Sequence, residues 1–538
     1  MRLRSDVSHL LNTNTVPTSI EIATVQNALD SLGGRISTLQ SQLYRLEKQR
    51  RQHRAILSPV RRIPLEVLAE IFVLVAPGVK NIYERQTVID LGLVCRSWRA
   101  ATLVVHQLWN GFSFTPSYPP NIYPRVVSWF RRSGSIPKSL KYGANFNYCQ
   151  CTEGVGKECF TFHPALTKLL VEGPPLDHFT LVVNSPKCFR EWTAAMDAAT
   201  SPHTTPRPWD SLRSFKLKFH EDYENEREWD NSSDPAESIF LNLPPNMTSF
   251  GLYLPAAGRT VFPDGGDSRT AGLNIPANVL ERLTEFTIRC DWAGARLFGV
   301  LHFCTNLETL TIDFHHKSPL ELEDDHPILH MLSHSPVSLP SLRALRIRNT
   351  ATIDVLRYMK APALTHLDFS MWSGEDPDFA DKLISFLDIS NARSTLQSLR
   401  IYDLTIPAAE LRRSLSNLPS LKRLTLELTK FADAPLFVDA HGDQDKITNV
   451  EPDLPSLEHF ELLELAHDFP IREMLVHLKR RRLNERCTLT VAYMSKLWLR
   501  CTESSYWDGY APPELSIRVF PAFGAMHQDA KDWFYLLY

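Results

Sequence analysis

Four side chains that could bind a metal lie close together in the sequence, at Cys149, Cys151, Cys159 and His163. Thiolate and imidazole are ligands that zinc prefers, and four of them would complete a tetrahedral site. The spacing Cys-x-Cys-x7-Cys-x3-His is not that of a standard zinc finger, in which Cys-x-x-Cys is more usual. The sequence therefore favours free thiols over a metal site, and it predicts no cofactor.

The sequence contains none of the common catalytic or nucleotide-binding motifs: GxGxxG, a Walker loop, GxSxG and HExxH are all absent. We therefore expect no catalytic residues, and a hydrolase with an unrecognised site is a remote alternative. The formal net charge of −3 predicts binding neither to nucleic acid nor to a membrane. Nine cysteines, without a secretory signal or an apolar span, predict an intracellular protein, cytoplasmic and/or nuclear.

A heptad pattern runs through residues 22–46, where apolar residues recur in alternating steps of three and four. This period of 3.5 residues is typical of a coiled coil. Two interpretations are open: the helix forms a homodimer through residues 22–46, or it folds back on its own domain. The apolar positions are Ile22, Val25, Leu29, Leu32, Ile36, Leu39, Leu43 and Leu46.

Two short amphipathic helices are predicted between residues 61 and 109. Pro64 suits the first position of a helix, and Pro77-Gly78 would end that helix. The first helix has an apolar face formed by Leu65, Leu68, Ile71, Phe72 and Val75. The second has its face at Leu91, Val94, Cys95 and Trp98, continued by Val105, Leu108 and Trp109. Two such helices bury too little surface to be stable alone, so part of these faces should contact another protein or domain.

These residues resemble an F-box over about 50 positions, residues 60–110. The matching pattern is Ile63-Pro64-x-Glu66-x-Leu68-x-x-Ile71-Phe72, then Leu93-Val94-Cys95-Arg96-x-Trp98-Arg99, then Leu108-Trp109. The resemblance implies a helical hairpin that binds a Skp-family adaptor and, through it, a cullin. The arrangement is similar to that of F-box proteins of mushroom-forming fungi, in which a heptad helix precedes the F-box.

The resemblance also implies a role for each matching residue. A first adaptor-facing strip would hold Pro64, Leu65, Glu66, Leu68, Ile71 and Phe72. A second strip would hold Val94, Cys95 and Trp98, with Cys95 as a small buried apolar residue, and Leu108-Trp109 would position the helix that packs behind.

From about residue 135 onward the frame L-x-x-L-x-L recurs ten times, with related apolar residues allowed. Positions four and six of each frame should point into a core and positions five and seven away from it, on a short parallel strand. The starts lie 22 to 36 residues apart. The array resembles a leucine-rich-repeat solenoid with a curved parallel sheet, although the usual Asn or Cys at the ninth position is missing. An ordinary α/β domain is the alternative.

A concave face of such an array would bind partners. Arg and Tyr are frequent anchors of protein interfaces, and Arg clusters also suit phosphate or acidic peptides. The alternative is that these are solvated strand residues. The predicted target-binding residues are Tyr253, Arg289, Arg346, Arg348, Arg400 and Tyr402.

The expected organisation is a disordered tail (1–17), an amphipathic or coiled-coil helix (18–57), an F-box domain (58–112), a connector (113–135) and a leucine-rich-repeat-like domain with a C-terminal cap (136–538). The fold class is α/β. The expected function is that of a non-catalytic substrate receptor in an SCF-type cullin ubiquitin ligase, with an unknown protein as its target. The alternative is a scaffold outside any ligase, in which the hairpin is only a structural cap.

Overall fold

A computed structural model describes residues 8–76, 78, 81–143, 163–199, 207–219, 227–228, 237–256, 260–261, 273–292, 295–314, 327–372, 376, 378–416, 418–431, 454–465, 487–493 and 516–521. The chain divides into two units. The first unit comprises Met1–Ala76 and Thr87–Val105, and the second comprises Pro77–Gln86 and His106–Tyr538.

The first unit opens with a long helix, α1 (Ser19–Ile56). Thr18 starts it with a capping box: the Glu21 amide donates to Thr18 Oγ1 at 3.4 Å, and the Thr18 amide donates to a Glu21 carboxylate oxygen at 2.7 Å. Two of the free amides at the helix start are thereby satisfied. A short 3-10 helix, Ser8–Leu11, lies in the segment that was expected to be a disordered tail.

Three shorter helices follow: α2 (Leu65–Val75), α3 (Ile82–Val94) and α4 (Arg96–Val104). Pro64 is the N-cap of α2, one residue before the first helical position that was predicted for it. Asn81 caps α3, because its side-chain oxygen accepts from the amides of Tyr83 and Glu84 at 2.8 and 3.0 Å. Cys95 separates α3 from α4 with extended backbone angles, so the predicted second face is carried by two helices rather than one.

The second unit is built on a sheet of fourteen parallel strands whose order follows the chain. Each strand of the large sheet therefore pairs with the next strand of that sheet along the chain. The connection between them returns to the end of the sheet at which the earlier strand began. Three further pairs of two-residue strands lie outside this sheet.

The strands of the large sheet are β1 (Gly111–Phe114), β2 (Ser139–Gly143), β3 (His178–Val183), β4 (Ser214–Phe219), β6 (Ser249–Tyr253), β8 (Glu285–Arg289), β9 (Thr309–Asp313), β11 (Ala344–Thr350), β13 (His366–Met371), β14 (Ser398–Tyr402), β16 (Arg423–Glu427), β18 (His459–Leu465), β19 (Thr488–Tyr493) and β20 (Ser516–Pro521). The short ones are β5 (Arg227–Glu228), β7 (Thr260–Val261), β10 (Val337–Ser338), β12 (Met359–Lys360), β15 (Thr405–Ile406) and β17 (Lys430–Phe431).

Helices of the second unit lie in the connections between strands. They are α5 (Tyr123–Arg131), α6 (Pro164–Glu172), α7 (Pro186–Ala199), α8 (Ala277–Leu280), α9 (Ala295–Leu301), α10 (Pro327–His334), α11 (Phe379–Ile389) and α12 (Ala408–Leu415). Trp192 of α7 packs 6.2 Å from Phe179 of β3, and Trp129 of α5 packs 5.9 Å from Phe112 of β1, measured between ring centroids.

The core of the sheet follows the predicted frame. In β4, Phe215 and Leu217 at positions four and six are buried, whereas Lys216 at position five is exposed. Four consecutive strands place phenylalanine at position four. The rings of Phe179, Phe215, Phe250 and Phe286 stack with centroid separations of 5.7, 6.2 and 5.9 Å. Equal register from strand to strand produces this ladder.

The expected α/β class, the parallel sheet and the N-terminal helix are confirmed. Three features differ from the prediction. β1 falls across the boundary placed at residue 112, and β2 has no L-x-x-L-x-L frame of its own. Leu108 and Trp109 lie in a 3-10 helix, His106–Trp109, which belongs to the second unit.

Candidate protein-binding surfaces

The hairpin of the first unit has a small core between α2 and α4. Leu68 and Phe72 are buried, and the Phe72 and Trp98 rings pack at 5.0 Å between centroids. Both residues of α2 were predicted to face an adaptor. They instead lie beneath the surface, because two short helices can be held together only if part of their apolar surface is used between them.

Eight larger apolar side chains on α2, on α4 and in the last turn of α3 are exposed. We call them the hairpin strip. Their exposed fractions run from 40% at Ile71 to 73% at Leu93. Exposed apolar patches of this kind mark surfaces that bind other proteins. The hairpin strip consists of Val67, Ile71, Leu74, Val75, Leu93, Val94, Leu103 and Val104.

Three further predicted residues, Pro64, Glu66 and Cys95, are exposed, and Leu65 and Trp98 are half-buried. The interpretation of Cys95 as a buried residue is wrong. Cys95 is exposed because it caps α4 in the break between two helices, where its side chain leaves the packed faces.

Six members of the hairpin strip were not among the residues predicted to contact an adaptor: Val67, Leu74, Val75, Leu93, Leu103 and Val104. For the members on α2, the sequence LEVLAEIFVLV already indicated a second apolar surface. It is apolar on more than one face, and a helix of that kind needs contacts on more than one side.

Leu108 and Trp109 are buried within the second unit. The Trp109 ring packs 4.6 Å from that of Trp129, and the Arg132 guanidinium lies 4.6 Å from the Trp109 centroid. Nearby, Arg85 donates to the Ser113 carbonyl and to the Tyr118 hydroxyl, 4.0 Å above the Phe112 ring. Burial lowers the pKa of Arg85. Arg85 is thereby anchored among residues of the second unit.

The second candidate surface is the outer face of the large sheet, formed by positions five and seven of the frames. Residues at position five stand side by side across the strands: Lys216 pairs with Gly251, Thr311 with Arg346, and Asp368 with Arg400. The six residues that were predicted to bind a target therefore lie on this one face of the sheet.

Arg400 is enclosed by carboxylates of the neighbouring strands. Its Nη1 donates to Asp368 at 3.1 Å, and its Nη2 donates to the buried Glu427 at 2.6 Å. Tyr402 lies close, with its ring centroid 5.9 Å from the guanidinium carbon. Charge-assisted hydrogen bonds of this kind hold Arg400 within the sheet. The expected basic centre at Arg346, Arg348 and Arg400 is therefore neutralised at Arg400.

A second charged group lies on β8, β9 and β11. Arg289 Nε is 3.8 Å from Asp313, and Asn349 Nδ2 donates to Asp313 Oδ1 at 2.9 Å. Asn349 adopts φ of 51° at an irregularity in the pairing of β11 with β13. Asparagine tolerates this left-handed conformation better than most residues. Arg348, directly before it, is half-buried.

Arg346 is the exposed member of the predicted set. Burial lowers the pKa of its neighbour His366, and the charges of Arg346 and Arg423 lower that pKa further. The cations Arg346 and Arg423 thus lie near His366, while the cross-strand neighbour of Arg346 on β13 is the acidic Asp368. Trp372, which follows β13, is 55% exposed and was not singled out from the sequence.

At β4 and β6 the outer face is basic and aromatic. The Lys218 ammonium lies 4.2 Å from the centroid of Tyr253. Gly251 leaves room for this arrangement, because a Cβ there would lie 3.0 Å from Lys216 Cγ. Tyr253 is therefore half-buried beneath lysine rather than open to a partner.

Three members of the cysteine cluster, Cys149, Cys151 and Cys159, lie outside the described residues. His163 is described and caps α6: its Nδ1 accepts from the Ala165 amide at 3.2 Å, and its Nε2 lies 3.0 Å from the Tyr118 carbonyl. Among the residues the structure describes, no group of His, Cys, Asp and Glu side chains could hold a metal.

Comparison with known proteins finds no similarity: no family model matches the chain, and no curated protein matches it in sequence. In the described part of the chain, no helix combines the length and the apolar character that crossing a membrane requires.

Proposed function

We propose that this chain is a substrate receptor of an SCF-type cullin ubiquitin ligase. In this proposal the hairpin binds a Skp-family adaptor, and the outer face of the sheet binds the target protein. The chain does no chemistry itself. It holds a target near the ligase, so that ubiquitin transfer becomes effectively intramolecular.

The observation that carries the proposal is the hairpin strip. Eight apolar side chains are exposed within about 40 residues, beside a small core that includes Leu68, Phe72 and Ala101. A chain gains nothing in its own stability from apolar side chains left in water. Their exposure fits a surface that is covered by another protein. The resemblance of the same segment to an F-box suggests which protein that is.

The sheet supports the second half of the proposal. Parallel strands in chain order, equal register and a buried residue at frame positions four and six are the features expected of a leucine-rich-repeat array. Its outer face offers Arg346 as an exposed anchor, and the residue after β13 offers Trp372; both types are frequent at interface centres. An acidic or phosphorylated segment of a target would complement the exposed guanidinium of Arg346.

The alternative of a scaffold outside any ligase shares the sheet but not the adaptor. In that alternative the hairpin is only a structural cap, and a cap does not need an exposed apolar surface. Adaptor binding by the hairpin therefore separates the two functions.

The test measures binding of a purified Skp-family adaptor to the full-length chain by biolayer interferometry. The variant combines Ile71→Asp and Val94→Asp, which place charges in the hairpin strip without altering its core. The matched control is Ile389→Asp on α11, because Ile389 and Ile71 have nearly equal exposed fractions of 41% and 40%.

We expect saturable one-to-one binding, a loss of at least about 100-fold in the double variant, and unchanged affinity in the control. The result that would overturn the proposal is absence of adaptor binding at micromolar concentration by a folded wild-type chain. Unchanged binding by the double variant would remove the hairpin strip from the interface.

A further inference from the structure

Helix α1 presents an apolar stripe that is exposed in the part of the chain that the structure describes. The structure shows no buried residue along its 38 residues. The eight heptad residues are between 37% exposed, at Val25, and 63% exposed, at Leu46. We call them the heptad stripe: Ile22, Val25, Leu29, Leu32, Ile36, Leu39, Leu43 and Leu46.

The period of the heptad stripe indicates what kind of partner would cover it. Steps of three and four without interruption give 3.5 residues per turn, which keeps the stripe facing a second helix only if the two helices supercoil. A helix packed on a globular surface instead follows a period of 3.6. The exposure of α1 also argues against the alternative in which it folds back on its own domain.

We infer that the heptad stripe is the interface of a parallel two-stranded coiled coil with a second copy of this chain. The stripe covers about 36 Å of helix. At roughly 80 Å² for each apolar side chain, the sixteen side chains of two copies would bury roughly 1,300 Å². This area falls within the range of about 1,200–2,000 Å² found in stable, specific interfaces.

The core residues favour two strands. The a positions are Ile22, Leu29, Ile36 and Leu43, and the d positions are Val25, Leu32, Leu39 and Leu46. Leucine dominates at d, and isoleucine fills every other a position. β-branched residues at a with leucine at d favour parallel dimers.

The flanking residues favour the parallel orientation. In parallel helices Arg35 would face Gln40 of the second copy, and Gln42 would face Glu47, so no like charges meet. In the antiparallel register that pairs all eight layers, Arg35 would stand opposite Arg35 of the second copy, which is unfavourable. Glu21 is already used in the capping box of its own helix.

Gly33 and Gly34 occupy the e and f positions, beside the stripe rather than in it. A Cβ at either position would meet nothing within 4 Å. The glycines therefore leave the packing layers intact, while they weaken the isolated helix. Helix α1 thus gains more from a partner than a glycine-free helix would.

The experiment measures the mass of the full-length chain by sedimentation equilibrium between about 1 and 100 µM, a range that brackets moderate affinities. The interface variant is Leu32→Glu with Leu39→Glu, at two d positions. The control is Asn27→Glu with Ser41→Glu, which adds the same charge at two f positions on the opposite face. Circular dichroism checks that each variant is folded.

We expect the wild type and the control to have twice the chain mass of 61.4 kDa, and the interface variant to have that mass once. A wild type that stays monomeric to about 100 µM would overturn the inference, as would a mass of three or more chains or an interface variant that dimerises like the wild type. This inference does not depend on adaptor binding, so either proposal can fail without the other.

Orientation is tested by oxidation of Leu29→Cys, with Asn27→Cys as the control. Residues at the same a position face each other only in the parallel arrangement, within reach of a disulfide. We expect a covalent dimer for Leu29→Cys and none for the control. Equal cross-linking of the two variants, or none in either, would contradict the parallel orientation.

Discussion

Burial divides the cysteines of the described residues into two groups. Cys95 is exposed at the start of α4, whereas Cys188, Cys290, Cys304 and Cys487 are buried. Burial raises the pKa of Cys304 to about 12 and that of Cys487 to about 11. Because the thiolate is the reactive form, these two cysteines should be inert in the folded protein.

We predict that maleimide at pH 8 labels Cys95 at least about 100-fold faster than Cys304. Raising the pH to 10 should still leave Cys304 slow while the protein is folded, because its pKa is about 12. Peptide mass spectrometry after timed labelling measures both rates. Labelling in urea is the control, since unfolding should make the rates similar. Equal rates in the folded protein would refute the burial of Cys304.

The carboxylates around Arg400 turn a predicted target-binding residue into a structural one. We predict that Arg400→Met lowers the free energy of unfolding by about 3 kcal/mol, because it removes the guanidinium that bonds to the buried carboxylate of Glu427. Urea denaturation followed by fluorescence measures the change. Adding Glu427→Gln to Arg400→Met should recover part of the loss, because the buried charge is then removed.

Arg346→Met is the matched control for Arg400→Met. Arg346 is exposed on the adjacent part of the same face, so we expect a change within about 0.5 kcal/mol. If Arg400→Met were equally mild, the ion pairs would contribute little, and Arg400 would return as a candidate for target binding.

At the scale of one strand, the phenylalanine ladder tests the inward and outward alternation. Phe215 is fully buried and stacks on Phe179 and Phe250 at 5.7 and 6.2 Å. We predict that Phe215→Ala costs about 4 kcal/mol of unfolding free energy, because it leaves a cavity in the core. The neighbouring Lys216→Ala should cost less than about 0.5 kcal/mol. Similar losses for the two variants, measured by urea denaturation, would mean that the alternation is wrong.

The strands that the sequence predicts are those in which the frame repeats. Alternation alone places Phe215 inward and Lys216 outward, and the structure confirms both. β1 and β2 escape prediction because GFSF and SLKYG have no leading leucine frame, and their strand character comes from pairing: β1 pairs with β2, and β2 pairs with β3. A local pattern cannot report a partner strand that lies tens of residues away along the chain.

The same limit applies to the candidate sites. Residue types predicted Arg400 on the outer face, but its pairing with Asp368 and Glu427 depends on which strands become neighbours. In the hairpin, the spacing of Leu68, Ile71 and Phe72 predicted one apolar face. The spacing could not tell which of these residues would be buried against Trp98.

At the scale of the whole molecule, the two proposals combine into a bivalent receptor. Helix α1 and the hairpin belong to the same unit, so a parallel dimer through α1 would carry two hairpin strips. Two linked sites rebind before both are released, which slows dissociation from a surface without altering the affinity of either site. The heptad stripe would then slow dissociation only where adaptor molecules are close enough together for one dimer to bind two of them.

We predict that the wild type dissociates from a densely adaptor-coated sensor about 100-fold more slowly than the Leu32→Glu/Leu39→Glu variant. In solution, calorimetry should give both proteins the same dissociation constant and one adaptor per chain. The Asn27→Glu/Ser41→Glu control should behave as the wild type in both assays. A weaker dissociation constant of the interface variant in solution would instead mean that α1 touches the adaptor directly, and bivalency would then not explain the slow release.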